Sequence, residues 1–370
     1  MATYRAAVIG LGRMGSTFDD EMTQGGSIII PYCHTPSYVA SPLTDLVGGA
    51  DPHDEQRAIY GNRWGVSDEH LYADYRDMLE REKPDIVSIC TTARHRAEIM
   101  TDCARAGVKA IWAEKPISLS LEEADHMVEV SDELGVKVAV NTARRYNPYF
   151  ADIRRRIDAG ELGNILQVIV LGQCGLSHNG SHAIDVMRYL AKGGNAEWVF
   201  GEMESDEAAA GDNDLQGNGY VAFDNGIRGF LRGTSCGVAN WETDVIGTDG
   251  RARTMFNCIE AEYTHLAEGG PRGRGIPIHT PVPLPPHIEG MGLTIIRDLI
   301  ESVEQDTQPR ASIHDGRQAL EIAVALRESH RQGGAKVALP LEDRSLTILS
   351  SEIQNDDQPA RVRRLQSSAS

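Results

Sequence analysis

"VIGLGRMGS", residues Val8–Ser16, sets three glycines in GxGxxG spacing directly behind an apolar run that begins at Tyr4. The order predicts a strand, a tight turn and a helix. Gly10 permits the turn, Gly12 lets a pyrophosphate approach the backbone, and Gly15 lets helix and strand pack closely. The helix that follows offers free backbone N–H groups to the phosphates. Glycine-rich turns are common, so the spacing alone is weak. The strand before it and the helix after it give it meaning. Gly10, Leu11, Gly12, Arg13, Met14 and Gly15 are therefore the expected seat of a dinucleotide.

Outward from this turn, short apolar runs alternate with helical patterns. Strands are expected at Tyr4 to Ile9, Thr44 to Ala50, Asp85 to Cys90, Val108 to Ala113 and Lys137 to Asn141. Between the last three lie "RHRAEIMTDCARAG" and "SLEEADHMVEVSDELG", whose apolar residues recur at helical spacing. Ser120 with Glu123 reads as a capping box, and Gly135 as a stop. Alternating strands and helices imply βαβ units and a parallel sheet, an α/β domain over residues 1–141. The pattern then changes. A helix is expected after Pro148, and hairpins turn at Asp224-Asn225-Gly226 and Asp249-Gly250. Glu268 to Pro286 reads as a long Gly/Pro-rich loop, and two helices near Gly290 to Glu304 and Asp315 to Arg331 precede the strand "KVALPL". Residues 142–350 thus form an α+β domain dominated by antiparallel sheet, and residues 351–370 a polar tail expected to be disordered.

The chain of 370 residues is long enough for two cores. Its net charge of −18 argues against nucleic acid, whose phosphates need clustered Lys and Arg. No apolar run approaches the roughly 18 residues of a membrane helix. The amino terminus lacks the basic, hydrophobic and cleavage regions of a signal peptide, so a cytoplasmic location is expected. The six cysteines are scattered and read as reduced, buried thiols rather than metal ligands.

An acid is expected at the end of the second strand to meet the adenosine ribose. Asp51 fits by position and favours NAD over NADP, because its carboxylate repels a 2′-phosphate. His53, Arg57 and Arg63 could accommodate such a phosphate, but none is adjacent to the acid. Asp51 follows Gly10 at about twice the usual distance of roughly 20 residues. The surplus, "FDDEMTQGGSIIIPYCHTPSY", is either a surface loop or a flap over the substrate. Ligands of doubly wound sheets bind beyond the carboxyl ends of the strands. Thr91 and Thr92 lie there, as do Glu114 and Lys115 with Pro116 behind them. An ammonium at that edge can hydrogen-bond a substrate hydroxyl and stabilise a forming alkoxide. By itself Lys115 could equally be a snorkelling surface lysine.

With "GLGRMG", "ADP", "TTARHRAEI", "AEKPIS", "NTARRYNPYF", "AGELGNI" and "GSHAIDVMRYL" in one order, the sequence resembles the glucose–fructose oxidoreductase, inositol dehydrogenase and rhizopine catabolism group (Gfo/Idh/MocA) from about Tyr4 to Leu341. The resemblance implies a Rossmann domain, a doubly wound parallel sheet, followed by a domain with an open, mostly antiparallel sheet that serves for a homodimer or homotetramer. It implies NAD as cofactor, a sugar or polyol substrate, and a catalytic Lys115 beside the nicotinamide. It matches His182 to a proton-relaying histidine, and Asp185, three residues on and so on the same helix face, to an orienting acid. Arg145, Tyr146 and Asn179 become candidate substrate contacts, while His95 and Asn141 join the cofactor side. One departure stands out. Where the family carries an aspartate four residues before the histidine, this chain has His178, which either takes over as hydrogen-bonding group or base or marks different chemistry. The expectation is an NAD-dependent sugar or polyol dehydrogenase. The alternatives are an NAD-dependent glycoside-cleaving enzyme that oxidises transiently and a non-catalytic NAD-binding regulator.

Overall fold

A computed structural model of the chain describes residues 3–22, 29–172, 174–233, 241–273, 275–283 and 288–350. It divides into two compact units, Met1–Ala143 with Ile288–Arg317, and Arg144–His287 with Gln318–Ser350. The expected tail, 351–370, lies outside the described residues.

The first unit is built on β1 (Tyr4–Ile9), α1 (His34–Ala40), β2 (Thr44–Ala50), α2 (Asp54–Trp64), β3 (Leu71–Tyr72), α3 (Tyr75–Glu82), β4 (Ile86–Ile89), α4 (Ala93–Arg105), β5 (Ala110–Ala113), α5 (Leu121–Leu134) and β6 (Lys137–Val140). Its six strands are parallel in the order β3-β2-β1-β4-β5-β6, the doubly wound arrangement. Both faces are covered, which is why the strands read as continuous apolar runs: Ala6, Ala7 and Val8 in β1 and Ile86, Val87 and Ile89 in β4 are fully buried. The capping box of α5 forms as read, with Ser120 accepting from Glu123 N and Gly135 closing the helix at φ +68°. The edge strand β3 was not expected, since two residues carry no periodicity.

The second unit holds α6 (Pro148–Asp158), β7 (Ile165–Leu171), α7 (Gly180–Leu190), β8 (Ala196–Met203), α8 (Asp206–Ala210), β9 (Gly217–Phe223), β10 (Arg228–Arg232), β11 (Glu242–Gly247), β12 (Gly250–Met255), β13 (Glu260–Ala267) and β14 (Ile276–Val282). Together with β15 (Val337–Ala338) they make a nine-stranded sheet in the order β14-β13-β12-β11-β7-β10-β9-β8-β15. Only the β7–β10 pair is parallel. Both expected hairpins form. The expected loop 268–286 does not, because β14 pairs with β13 from Ala267↔Ile276 to Ala261↔Val282. Pro277 and Pro281 hid it: proline cannot donate to a ladder, but an edge strand has one side where no donor is needed.

After β14 come α9 (Met291–Gln305) and α10 (Ile313–Arg331). On one face of the nine-stranded sheet α10 lies so close that a Cβ on Gly201 would sit 1.9 Å from Leu326 O. Strand alternation puts Phe200 on the other face. There Trp198 stacks on Tyr220 at 5.3 Å, Phe230 meets Tyr220 edge-on at 5.0 Å, and Phe200 stays 40% exposed.

Residues 288–317, assigned by sequence to the second domain, belong to the first unit, where α9 packs on β5, β6 and α1. This clamp also decides the long first crossover. Behind Gly12 the chain makes one wide turn (Arg13–Thr17) and a 3-10 turn (Phe18–Glu21), and among the described residues the next regular helix is α1. Residues 23–28 lie outside the described ones; of the rest, Asp20, Glu21 and Ile30 are exposed, while Cys33, His34, Thr35, Ser37 and Tyr38 are buried and belong to the core. Gly292 N donates to Pro31 O at 2.9 Å, and a Cβ on Gly292 would lie 1.8 Å from Ser37 Oγ, itself bonded to Cys33 O. Gly292→Ala should therefore force α9 off α1 and lower stability by about 1–3 kcal/mol, the scale of overpacking. Urea unfolding checks this, and an unchanged midpoint would show that the clamp yields freely.

Candidate active site

In the first unit the candidate residues begin at the glycine turn. Gly10 stands at φ +88°, and a Cβ there would lie 2.9 Å from Cys90 C and Thr91 N. On Gly15 it would lie 2.2 Å from Gly10 O. Only glycine lets the ends of β1 and β4 and the following turn close in this way. Asp51 is bound into the turn. Its Oδ2 accepts from Leu11 N at 3.0 Å, and its Oδ1 accepts from His53 N at 3.0 Å and lies 3.0 Å from His53 Nδ1. Gln56 Nε2 donates to Leu11 O at 2.7 Å. The basic side chains weighed for a 2′-phosphate are engaged elsewhere. Arg57 donates to Asp51 O and pairs with Asp54, and Arg63 pairs with Asp20. Arg13 turns to Glu21, 2.7 Å away, and lies over the Phe18 ring, while Met14 is half-buried. The residues fit a dinucleotide. At the ends of β4 and β6 the buried oxygens Thr91 Oγ1, Asn141 Oδ1 and Thr142 Oγ1 have no hydrogen-bond partner among the described residues, and a polar ligand along that edge would satisfy them.

The lysine edge is fixed from two sides. Arg96, fully buried on α4, donates to Pro116 O with one terminal nitrogen and to Thr91 O with the other, tying the ends of β4 and β5 together. The Lys115-Pro116 bond is cis. Glu114, 5% exposed, takes hydrogen bonds from Asn141 Nδ2 and, at 3.2 Å, from Lys115 N, and its Oε1 lies 3.2 Å from His34 Nε2. His34 Nδ1 lies 2.8 Å from Ser88 Oγ, which lies 2.8 Å from Tyr38 OH. The His34 ring lies against Trp112 with centroids 3.8 Å apart. Sequence reasoning missed Arg96, His34, Ser88 and Tyr38. Thr92 occupies the N-cap position of α4, and His95 is exposed in its first turn.

In the second unit the candidate residues centre on α7. Asp185, fully buried, pairs with Arg145 Nε at 2.8 Å, and Arg145 lies over the Tyr189 ring at 5.3 Å. His182, 7% exposed, meets Trp241 edge-on at 6.3 Å, and Arg144 lies over the same tryptophan at 3.8 Å. Trp241 had no sequence signal. Tyr146 is buried, and Asn147 caps α6 through Tyr149 N. Asn179 occupies the N-cap position of α7. The turn before it folds over Asp214, whose two oxygens accept from Ser177 N at 2.8 Å and His178 N at 2.6 Å. His178 Nδ1 lies 3.3 Å from Ser350 Oγ. The carboxylate absent at position 178 is thus supplied to this turn from the β8–β9 connection, but to its backbone.

Electrostatics follow from burial. Burial alone pushes the Glu114 carboxyl up, but the hydrogen bonds from His34 and Asn141 and the charge of Lys115 outweigh it and hold it at about 2. Burial pushes the His34 imidazole below its ordinary 6.5 against the opposing pull of Glu114, leaving the ring neutral at pH 7. Both groups bind fewer protons folded than unfolded, so unfolding takes up protons and stability rises with pH. The stability His34 contributes is complete above pH 6.5 and lost below it; that from Glu114 is lost as pH falls from 4.5 towards about 2. In urea unfolding between pH 7.5 and 5, His34→Gln should flatten the slope by up to one proton, about 1.4 kcal/mol per pH unit. A steeper slope in the variant would contradict a neutral His34.

Two family profiles match the chain in succession, the second running through residues 288–317. The profile "Oxidoreductase family, NAD-binding Rossmann fold" matches residues 4–142, and "Oxidoreductase family, C-terminal alpha/beta domain" matches residues 170–339. The chain is 31% identical over 271 residues to the scyllo-inositol 2-dehydrogenase (NAD(+)) of Bacillus subtilis (strain 168), covering 66% of this chain and 72% of that protein. It is 24% identical over 346 residues to the myo-inositol 2-dehydrogenase of Thermotoga maritima, covering 88% and 96%. In fold it matches the crystal structure of an inositol dehydrogenase homolog from Azotobacter vinelandii complexed with NADH and myo-inositol, with a TM-score of 0.72 at 18% identity over 91% of this chain and 98% of that one. At that identity the likeness is one of fold.

Proposed function

This chain belongs to the Gfo/Idh/MocA oxidoreductase family, whose amino-terminal domain is an NAD-binding Rossmann fold, and on that premise we propose that it oxidises a secondary alcohol of a sugar, cyclitol or related polyol. The observation that carries the reading is the edge Glu114-Lys115-Pro116, where a lysine at the carboxyl end of β5 is held by Arg96 and preceded by a buried anion. The inositol dehydrogenases among its relatives support the substrate class. When bound, NAD supplies the hydride acceptor at C4 of its nicotinamide. Lys115 hydrogen-bonds the reacting hydroxyl and stabilises the alkoxide as it forms. His182 takes or relays the proton, and Asp185 with Arg145 fixes the helix that carries it. Gly10, Gly12 and Gly15 give the pyrophosphate its approach, and Asp51 shapes the turn that receives it.

We read the half-exposed aromatic face around Tyr220 and Phe200 as the seat of a second copy, making the protein a homodimer or homotetramer; sedimentation velocity showing a monomer at micromolar concentration would refute this. For the activity, NADH formation is measured over cyclitols, free sugars, sugar acids and glycosides. Lys115→Ala should lose roughly 10²–10⁴ in turnover, the scale of acid–base assistance, while NAD binding survives. Turnover within tenfold of wild type would remove Lys115 from the mechanism.

A further inference from the structure

We propose that His34 is a positioning residue for this reaction: from α1 it donates its single N–H to Glu114, keeps that side chain an anion, and so holds the main chain and charge environment of Lys115. The inference rests on the role given above to Lys115. Its geometry does not, because every group involved belongs to the first unit.

The direction of each hydrogen bond follows from one constraint. An ionised carboxylate only accepts, so the proton between His34 and Glu114 sits on Nε2. A neutral imidazole with Nε2 protonated has Nδ1 as an acceptor, so Ser88 must donate to it. Ser88 Oγ then accepts from Tyr38 OH. Four side chains from α1, β4 and the end of β5 thus form one donor chain running from Tyr38 to Glu114. The chain is closed at its far end, since Tyr38 is fully buried. It offers no path for a proton to reach water, so it cannot be a shuttle. What it can do is fix a tautomer, and the Trp112 ring against His34 fixes the plane of the imidazole.

Without His34, Glu114 would keep Asn141 Nδ2 and Lys115 N as its donors among the described residues. A buried carboxylate short of donors takes up a proton at higher pH. Protonation weakens the bond from Lys115 N and removes the negative charge beside the ammonium. Other ionisable groups around the pair are few. Arg96 on α4 opposes protonation of His34, and Asp19 in the first crossover favours it. Burial pushes the Cys90 thiol, at the end of β4, and the Tyr38 phenol well up, so both stay protonated.

The test uses the full chain with His34→Ala, His34→Gln and Ser88→Ala, and Lys115→Ala as control. For His34→Ala we expect turnover to fall 10- to 100-fold, with the acid limb of the kcat profile moved up by at least one pH unit and KM for NAD unchanged. His34→Gln, which keeps a donor, should recover most of the turnover. Ser88→Ala removes the donor that fixes the tautomer, and should move the limb the same way by less; it covers the case in which His34→Ala fails to fold. Independently of any substrate, NMR of ¹⁵N-histidine-labelled protein should show His34 protonated at Nε2 alone between pH 8 and 5. A ring protonated at Nδ1, or one that gains a second proton near pH 6.5, overturns the proposal. So do unshifted limbs in the His34 and Ser88 variants alongside an inactive Lys115→Ala. An active Lys115→Ala instead overturns the role of the lysine itself, and the inference with it.

Discussion

Glu114 carries a negative charge where the protein leaves it almost no water. A carboxylate stripped of solvent costs several kcal/mol unless charge and hydrogen bonds replace what water gave. Here the replacements come from separate elements: a histidine from α1, an amide from the end of β6, and the main chain of the next residue. Hydrogen bonds lose their value within a few tenths of an ångström, so α1 and β6 must be placed accurately against β5. This requirement accounts for features that otherwise look unconnected. The end of the crossover, from Cys33 to Tyr38, is packed into the core, α9 is recruited from far along the chain to hold it, and Gly292 is there because anything larger would lift α9 away.

What could be read from the sequence was whatever is local. Five of the six parallel strands, the α5 capping box and both hairpins in the second unit rest on periodicity and turn chemistry within a few residues. β3 is too short to show a period, and β14 was concealed by prolines whose meaning depends on the strand being at an edge. The helix near 290–304 could be read, but not its packing on β5, β6 and α1, since an amphipathic helix shows that it has a buried face but not what covers it. The same divide runs through the site. The glycine turn, Asp51 and Glu114-Lys115-Pro116 stood out because each has a local signature. His34, Arg96, Asp214 and Trp241 are single residues, each tied to a partner 20 or more positions away. His34 sits inside a stretch read as surplus, and only its contact with Ser88 and Glu114 gives it a meaning.

The second unit handles its charges in a related way. Asp185 lies fully buried on α7 with Arg145 against it, and Asp214 spends both oxygens on backbone N–H groups of the turn that leads into that helix. One carboxylate is matched by a guanidinium and the other by main-chain donors, both of which suit a carboxylate's oxygens. Both act on the segment that presents His182, one at each end of its first turns.

The margins of the two sheets share a property of their own. β3 and β15 are two residues long, β14 has prolines at two of its seven positions, and β6 is bridged along its outer side by Ala311 and Ser312. A foreign strand needs a run of free N–H and C=O groups to add itself to a sheet. None of these four margins provides a long one. The fifteen strands among the described residues thus give neighbours in a crowded solution little to zip onto, and each border works against growth into fibres by strand addition.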